Sequence, residues 1–312
     1  MPNTLGIRRR IRSVKNTRQI TKAMELVAAT KMRRTQTQAV RARIYAQLAW
    51  ELINNLSGKI DRKIQPLLRL TLPVKKQLII LLTSNRGLAG SFNSQIIGKI
   101  LDYITVGKDE NSQLQTDLIV VGKKGADAMF KARQNIVADF KKADVNLEVS
   151  EIFPIATLII DKYSTGQYDK VILGYSDFVS TLVQKPRIKV ILPFPELSLA
   201  ANIAEHDDLG QVGNVSEQPI QVPGFSHFDY IFEPTPDTVL KRLLPRLIEV
   251  QIYQAMLESN ASEHSARMVA MKSASDAAAD LIEDLTLEYN QLRQAGITAE
   301  IAEISAGRMA VT

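Results

Sequence analysis

The segment Thr83-Ser84-Asn85-Arg86-Gly87-Leu88-Ala89-Gly90-Ser91-Phe92-Asn93 is where this chain comes closest to a chemical site. A glycine-containing turn after a strand and before a helix leaves backbone N–H groups that could hold a phosphate. The known nucleotide fingerprints are missing, however, because neither G-x-x-x-x-G-K-[ST] nor G-x-G-x-x-G occurs anywhere in the chain. The turn therefore reads as structural, with Gly87 and Gly90 as its turn residues. Gly122-Lys123-Lys124-Gly125 is a weaker instance of the same pattern. The only histidines are His206, His227 and His264, which have no ligand spacing between them, so no metal site is expected. Ser262-Glu263-His264-Ser265 suggests a nucleophile and a base, but consecutive helical residues point in different directions. It reads as surface and seam. No catalytic, cofactor-binding or metal-binding residue is expected, and no cofactor.

The 312 residues are 45% apolar and 23% charged, which describes a folded chain rather than a disordered one. With no cysteine, disulfides, thiolate zinc sites and thiol switches are excluded. Met1-Pro2-Asn3-Thr4 leads straight into a helical pattern, so no signal peptide is expected, and no apolar run approaches the ~20 residues of a membrane span. The expected location is the cytoplasm, or a membrane reached only through other proteins.

Charge is unevenly placed. Residues 1–50 carry twelve basic side chains against Glu25 alone, a surplus of +11, whereas residues 237–312 carry seven basic and eleven acidic ones, a balance of −4. The two ends attract each other, and the surplus on the first calls for an acidic partner. Nucleic acid and an acidic protein loop are both candidates.

Two long helices are predicted at the ends, over the first 60 residues and over 237–308. Met268, Met271, Ser275, Ala278, Ile282, Leu285, Tyr289 and Leu292 recur at alternating steps of three and four, a sustained heptad that needs a partner helix. The N-terminal helix offers a stripe through Ile7, Ile11, Val14, Thr17, Thr21, Met24 and Ala28. It continues as a second seam at Ala39, Ala42, Ala46, Ala49, Ile53, Leu56 and Ile60. Some 70 helical residues at about 1.5 Å each would extend roughly 100 Å, so much of this hairpin is expected to protrude. Between the helices, strands are predicted at Gln77–Thr83, Asp117–Gly122, Asp169–Tyr175 and Arg187–Phe194. Helices at about 91–106, 123–134 and 154–165 alternate with them, which implies a small α/β sheet with right-handed crossovers. Residues 196–227 read as a long exposed loop before Phe228–Phe232. Thr235-Pro236-Asp237 starts the last helix, and Pro245 should bend it. The expected architecture is α/β: an antiparallel coiled coil of residues 1–60 and 235–312 around a Rossmann-like domain over 70–232.

Ile11 through Met32, with Thr17-Arg18-Gln19-Ile20-Thr21-Lys22-Ala23-Met24-Glu25, closely resembles the opening of the gamma subunit of F-type ATP synthases. Ser259 through Lys272 and the segment Ile297-Thr298-Ala299-Glu300-Ile301-Ala302-Glu303-Ile304-Ser305-Ala306-Gly307 resemble that family's C-terminal helix and signature, and the Ser84–Asn93 turn is also similar. Arg308 stands where the family usually has a small residue. The resemblance implies a non-catalytic central rotor shaft, coupling proton flow through a membrane c ring to ATP synthesis and hydrolysis in the alpha/beta hexamer. It implies the alpha, beta and epsilon subunits and the c ring as partners, with no small-molecule substrate of its own. The implied location is the cytoplasmic face of a bacterial cell membrane, as a peripheral protein. It further implies that Met24, Lys31, Arg33, Arg34, Arg267, Met268, Glu300, Ile301 and Ile304 meet the alpha/beta ring. Two rivals remain at this point. A basic coiled coil that binds nucleic acid is weakened by the acidic partner helix and the few aromatics, and a nucleotide-binding enzyme rests only on the 83–93 turn and the strand pattern.

Overall fold

The computed structural model describes residues 4–57, 66–110, 112–144, 147–194, 233 and 236–311. The expectations for the 196–227 loop, for Phe228–Phe232, for the Thr235 cap and for the seam side chains from Ala46 to Ile60 lie outside what is described.

Strand β1 (Lys76–Leu82) forms the centre of a five-stranded sheet. It pairs in parallel with β2 (Gln115–Val121) on one side and with β4 (Lys170–Phe178) on the other. Strand β3 (Asn135–Phe140) extends the sheet in parallel beyond β2, and β5 (Gln184–Leu192) closes the opposite edge antiparallel to β4. Leu78 to Leu82 are all fully buried, as expected of a parallel strand covered on both faces. Ile79 and Leu81 pack with Ile96, Ile100 and Ile104 of α2 (Phe92–Glu110) and Met129 of α3 (Lys123–Lys131). Leu78, Ile80 and Leu82 belong to the other core, with α4 (Phe153–Ser164) and the long C-terminal helix α5 (Pro236–Val311), which supplies Leu247, Ile248 and Ile252. Each such side chain contributes about 1.5–3 kcal/mol by leaving water.

The edge strand β3 is absent from the sequence reading. Its alternation of exposed and half-buried residues includes Asn135 and Asp139, types depleted in strands, so it lacks the apolar run that marks β1. At the opposite end of the sheet from the β1–α2 turn, Tyr168 donates to Asp117 at 2.7 Å. Burial, and then that hydrogen bond, raises its phenol above the usual range. Burial likewise pushes Tyr163 up to about 12, with its hydroxyl donating to the Arg69 carbonyl at 2.6 Å.

Helix α1 (Thr4–Ser57) and α5 each contribute to two compact units. One holds residues 1–30 and 267–312, the other residues 31–266. In the first unit Met271, Ser275, Ala278 and Leu285 are buried, while Met268, Ile282, Tyr289 and Leu292 are half-buried, so every predicted seam position is shielded. The described residues of that unit are two helical stretches. Along α1 the stripe is shielded at Ile7, Ile11, Val14, Thr21, Met24 and Ala28, but Thr17 is exposed and donates to the Ser13 carbonyl instead. In the second unit Pro245 lies inside α5, and Ala39 of α1 joins the core beneath the sheet.

Candidate functional site

The residues expected at a partner ring occupy several environments. In the first unit Met24 is half-buried, beside an ion pair between Lys22 and Glu25 at 3.0 Å. Arg267 and Met268 are half-buried there, while Glu300, Ile301 and Ile304 are exposed, the two isoleucines by 59% and 67%. In the second unit Arg33 and Arg34 are exposed, but Lys31 is already paired with Asp144 of the same chain. Exposed apolar residues accompany them on α1: Ile20, Leu26, Val27 and Val40.

The turn after β1 is closed by its own side chains. Asn93 accepts the Ser84 N–H at 3.0 Å and donates to the Ser84 hydroxyl at 2.8 Å, while the Phe92 N–H goes to the Ala89 carbonyl. Thr83, fully buried, donates toward the Val121 and Gly122 carbonyls and accepts from the Gly125 N–H at 2.9 Å. The Thr83 bonds tie the end of β1 to β2 and α3, and the Asn93 bonds hold the start of the turn against α2. Gly90, at φ 54°, occupies the left-handed region, where a side chain is strained. Gly87 does not, and a Cβ there would meet only Lys124 Cε at 3.8 Å, so of the two turn glycines only Gly90 resists a side chain. The tighter glycine is Gly122, at φ 103°, where a Cβ would sit 2.5 Å from the Thr83 carbonyl oxygen.

A polar cluster that the sequence reading missed lies at the carboxyl ends of the strands. Ser259, Asn260, Ser262, Glu263, His264 and Ser265 of α5 are all buried, which corrects the reading of 262–265 as surface and seam. The segment after β3 is what buries them. Lys142 Nζ reaches the Glu263 carboxylate at 2.9 Å and the Ser259 hydroxyl at 3.0 Å, and its side chain is almost wholly enclosed. Asn260 donates to the Ala143 carbonyl at 3.2 Å, and His264 Nε2 lies 3.0 Å from the Asp144 carbonyl oxygen, the geometry of a ring N–H donor. The Asp144 carboxylate in turn pairs with Lys31 of α1. Asn85 of the β1–α2 turn brackets the Lys142 backbone, donating to its carbonyl at 2.7 Å and accepting its N–H at 3.3 Å. The hairpin between β4 and β5 adds a contact, with Ser265 donating to the Thr181 carbonyl at 2.7 Å, and Ser262 donates to Ser176. A run of polar residues with few apolar ones in a helix that must pack on a sheet was the available signal. Its partners lie more than 80 residues away in sequence, and no local pattern points to them.

No group of three or more potential metal ligands occurs among the described residues, and none of their helices is long and apolar enough to cross a membrane. What the cluster can do is fasten elements together, through neutral hydrogen bonds and the Lys142–Glu263 and Lys31–Asp144 ion pairs.

These features define a class of protein: a five-stranded mixed sheet that lies in sequence between very long N- and C-terminal helices. The family model described as ATP synthase matches residues 3–311. The chain is 42% identical to the ATP synthase gamma chain of Roseiflexus castenholzii, over 100% of this chain and 99% of that one. It is 40% identical to that of Opitutus terrae, over 99% of each. In fold it is similar to a chain of the Euglena gracilis mitochondrial ATP synthase, with a TM-score of 0.64 at 20% identity over 99% of this chain and 94% of that one. A chain of the Tetrahymena thermophila mitochondrial ATP synthase central stalk and c ring gives 0.59 at 23% identity, over 82% and 99%. The chain belongs to the ATP synthase gamma-chain family, the non-catalytic central-stalk subunits of the F-type enzyme. The nucleic-acid reading finds no support in these relatives.

Proposed function

We propose that this chain is a rotor turning inside a ring of alternating alpha and beta subunits, driven by proton flow through a membrane c ring. Its terminal helices form an antiparallel coiled coil, and the sheet, with the helices packed on it, binds the epsilon subunit and stands on the c ring. The complex lies at the cytoplasmic face of a bacterial cell membrane, with this chain as a peripheral protein.

The observation that carries this reading is the outward face of the helices. Ile20, Leu26 and Val27 on α1, and Ile297, Ile301 and Ile304 on α5, are all at least half exposed, beside a strongly cationic α1. Apolar side chains spaced along exposed helices favour a surrounding protein surface. A collar of apolar residues around the end of α5 would act as a bearing, because it offers no directional bond that must break as the shaft turns. Acidic beta-subunit loops would meet Arg33 and Arg34, and the asymmetry of the shaft would bias three otherwise identical sites into different conformations.

Arg33→Glu with Arg34→Glu turns two attractive contacts into repulsive ones and should lower proton pumping per ATP hydrolysed in membrane vesicles. Unchanged pumping per ATP in the assembled complex would remove the torque contact from this account.

A further inference from the structure

We propose that residues 142–144 are positioning residues for rotary coupling, keying α5 and α1 to the sheet so that torque passes between helices and sheet without slip. The inference rests on the rotor reading above and concerns a place in the chain that this reading leaves unused.

Apolar packing alone is a poor key. Leu247, Ile248 and Ile252 hold α5 under the sheet by a force that has no direction, so the register they set rests on shape alone. Hydrogen bonds of fixed geometry add direction to it. In the second unit the short segment after β3 supplies such bonds to both long helices at once. Lys142 engages Glu263, the Asp144 carbonyl engages His264, and the Asp144 carboxylate engages Lys31. Asn85 fixes the same segment from the sheet side.

The Lys142–Glu263 pair is also in the wrong place for simple stability. Both side chains are at least nine-tenths buried, and a buried ion pair can often be replaced by apolar residues of similar volume with no loss of stability. Its distinctive property is that disengagement separates two opposite charges inside the fold. The register of α5 is therefore defined by one engaged state, not by a continuum of sliding positions. Burial keeps the pair from being screened by salt.

The test replaces the pair without leaving a void: Lys142→Met with Glu263→Met in the assembled F-type complex in membrane vesicles. Thermal stability and ATP hydrolysis should stay near those of the unaltered complex, while proton pumping per ATP falls by about two- to ten-fold. Asp144→Asn, which retains shape but removes the charge facing Lys31, should produce a smaller loss in the same direction. Unchanged pumping per ATP in both variants would overturn the proposal. So would a loss of pumping that tracks an equal loss of hydrolysis and a lowered Tm, since that is the signature of a purely structural role. If the unaltered complex itself fails to pump, the rotor reading falls instead, independently of these variants.

Discussion

Helix α5 breaks the usual rule of burial in two opposite ways. Between Glu258 and Ser265 its side chains are almost all polar and all buried, whereas from Arg293 to Ala306 every side chain but the half-buried Gly296 is exposed, three isoleucines among them. The first stretch finds its partners inside the chain, at the carboxyl ends of the strands. The second has apolar surface that the chain's own fold does not cover. The same helix is therefore fixed to its own sheet in one region and leaves apolar surface exposed in the other, the surface that the rotor proposal assigns to the surrounding subunits.

The largest effect should come from breaking the fixed region on one side only. Lys142→Met takes the ammonium away from the buried Glu263 carboxylate and should cost about 3–5 kcal/mol, read as a lower midpoint in urea unfolding. The double Met variant should recover most of that loss, which separates the cost of removing one partner from the worth of the pair. A smaller loss is expected at Gly122, which joins the β2 end to the turn that brackets Lys142. Gly122→Ala combines a positive φ with a Cβ 2.5 Å from a backbone oxygen and should cost about 2 kcal/mol, while Gly87→Ala should be nearly silent. Least of all should happen to stability in the exposed region. Ile301→Ser with Ile304→Ser should move the unfolding free energy by no more than about 0.5 kcal/mol, and should affect only assembly or turnover of the complex.

Much of the fold was legible in the sequence, whereas the buried polar side of this contrast was not, and for a physical reason. The spacing of Met271, Ser275, Ala278 and Leu285 identified the shielded face of α5, because a helix that buries one stripe must repeat at its own period. The predicted helix at 237–308 lies within Pro236–Val311, and the predicted β1 is displaced by a single residue from Lys76–Leu82. The antiparallel β5 was found as a strand, but its direction depends on a hairpin that the sequence reading left unassigned. Strand β3 escaped because an edge strand needs only one half-buried face. The 258–265 cluster escaped for the opposite reason: polar helix residues read as surface unless their buried partners are known. Lys142 and Asp144 are joined to them only by the fold.

Hydrogen exchange along α5, measured in the isolated chain and again in the complex with alpha and beta subunits, tests the division most directly. Backbone amides in 258–265 should be strongly protected in both states, while those in 293–306 should exchange readily in the isolated chain and become protected on assembly. Protection gained at 258–265 with none gained at 293–306 would reverse the two roles and contradict the account.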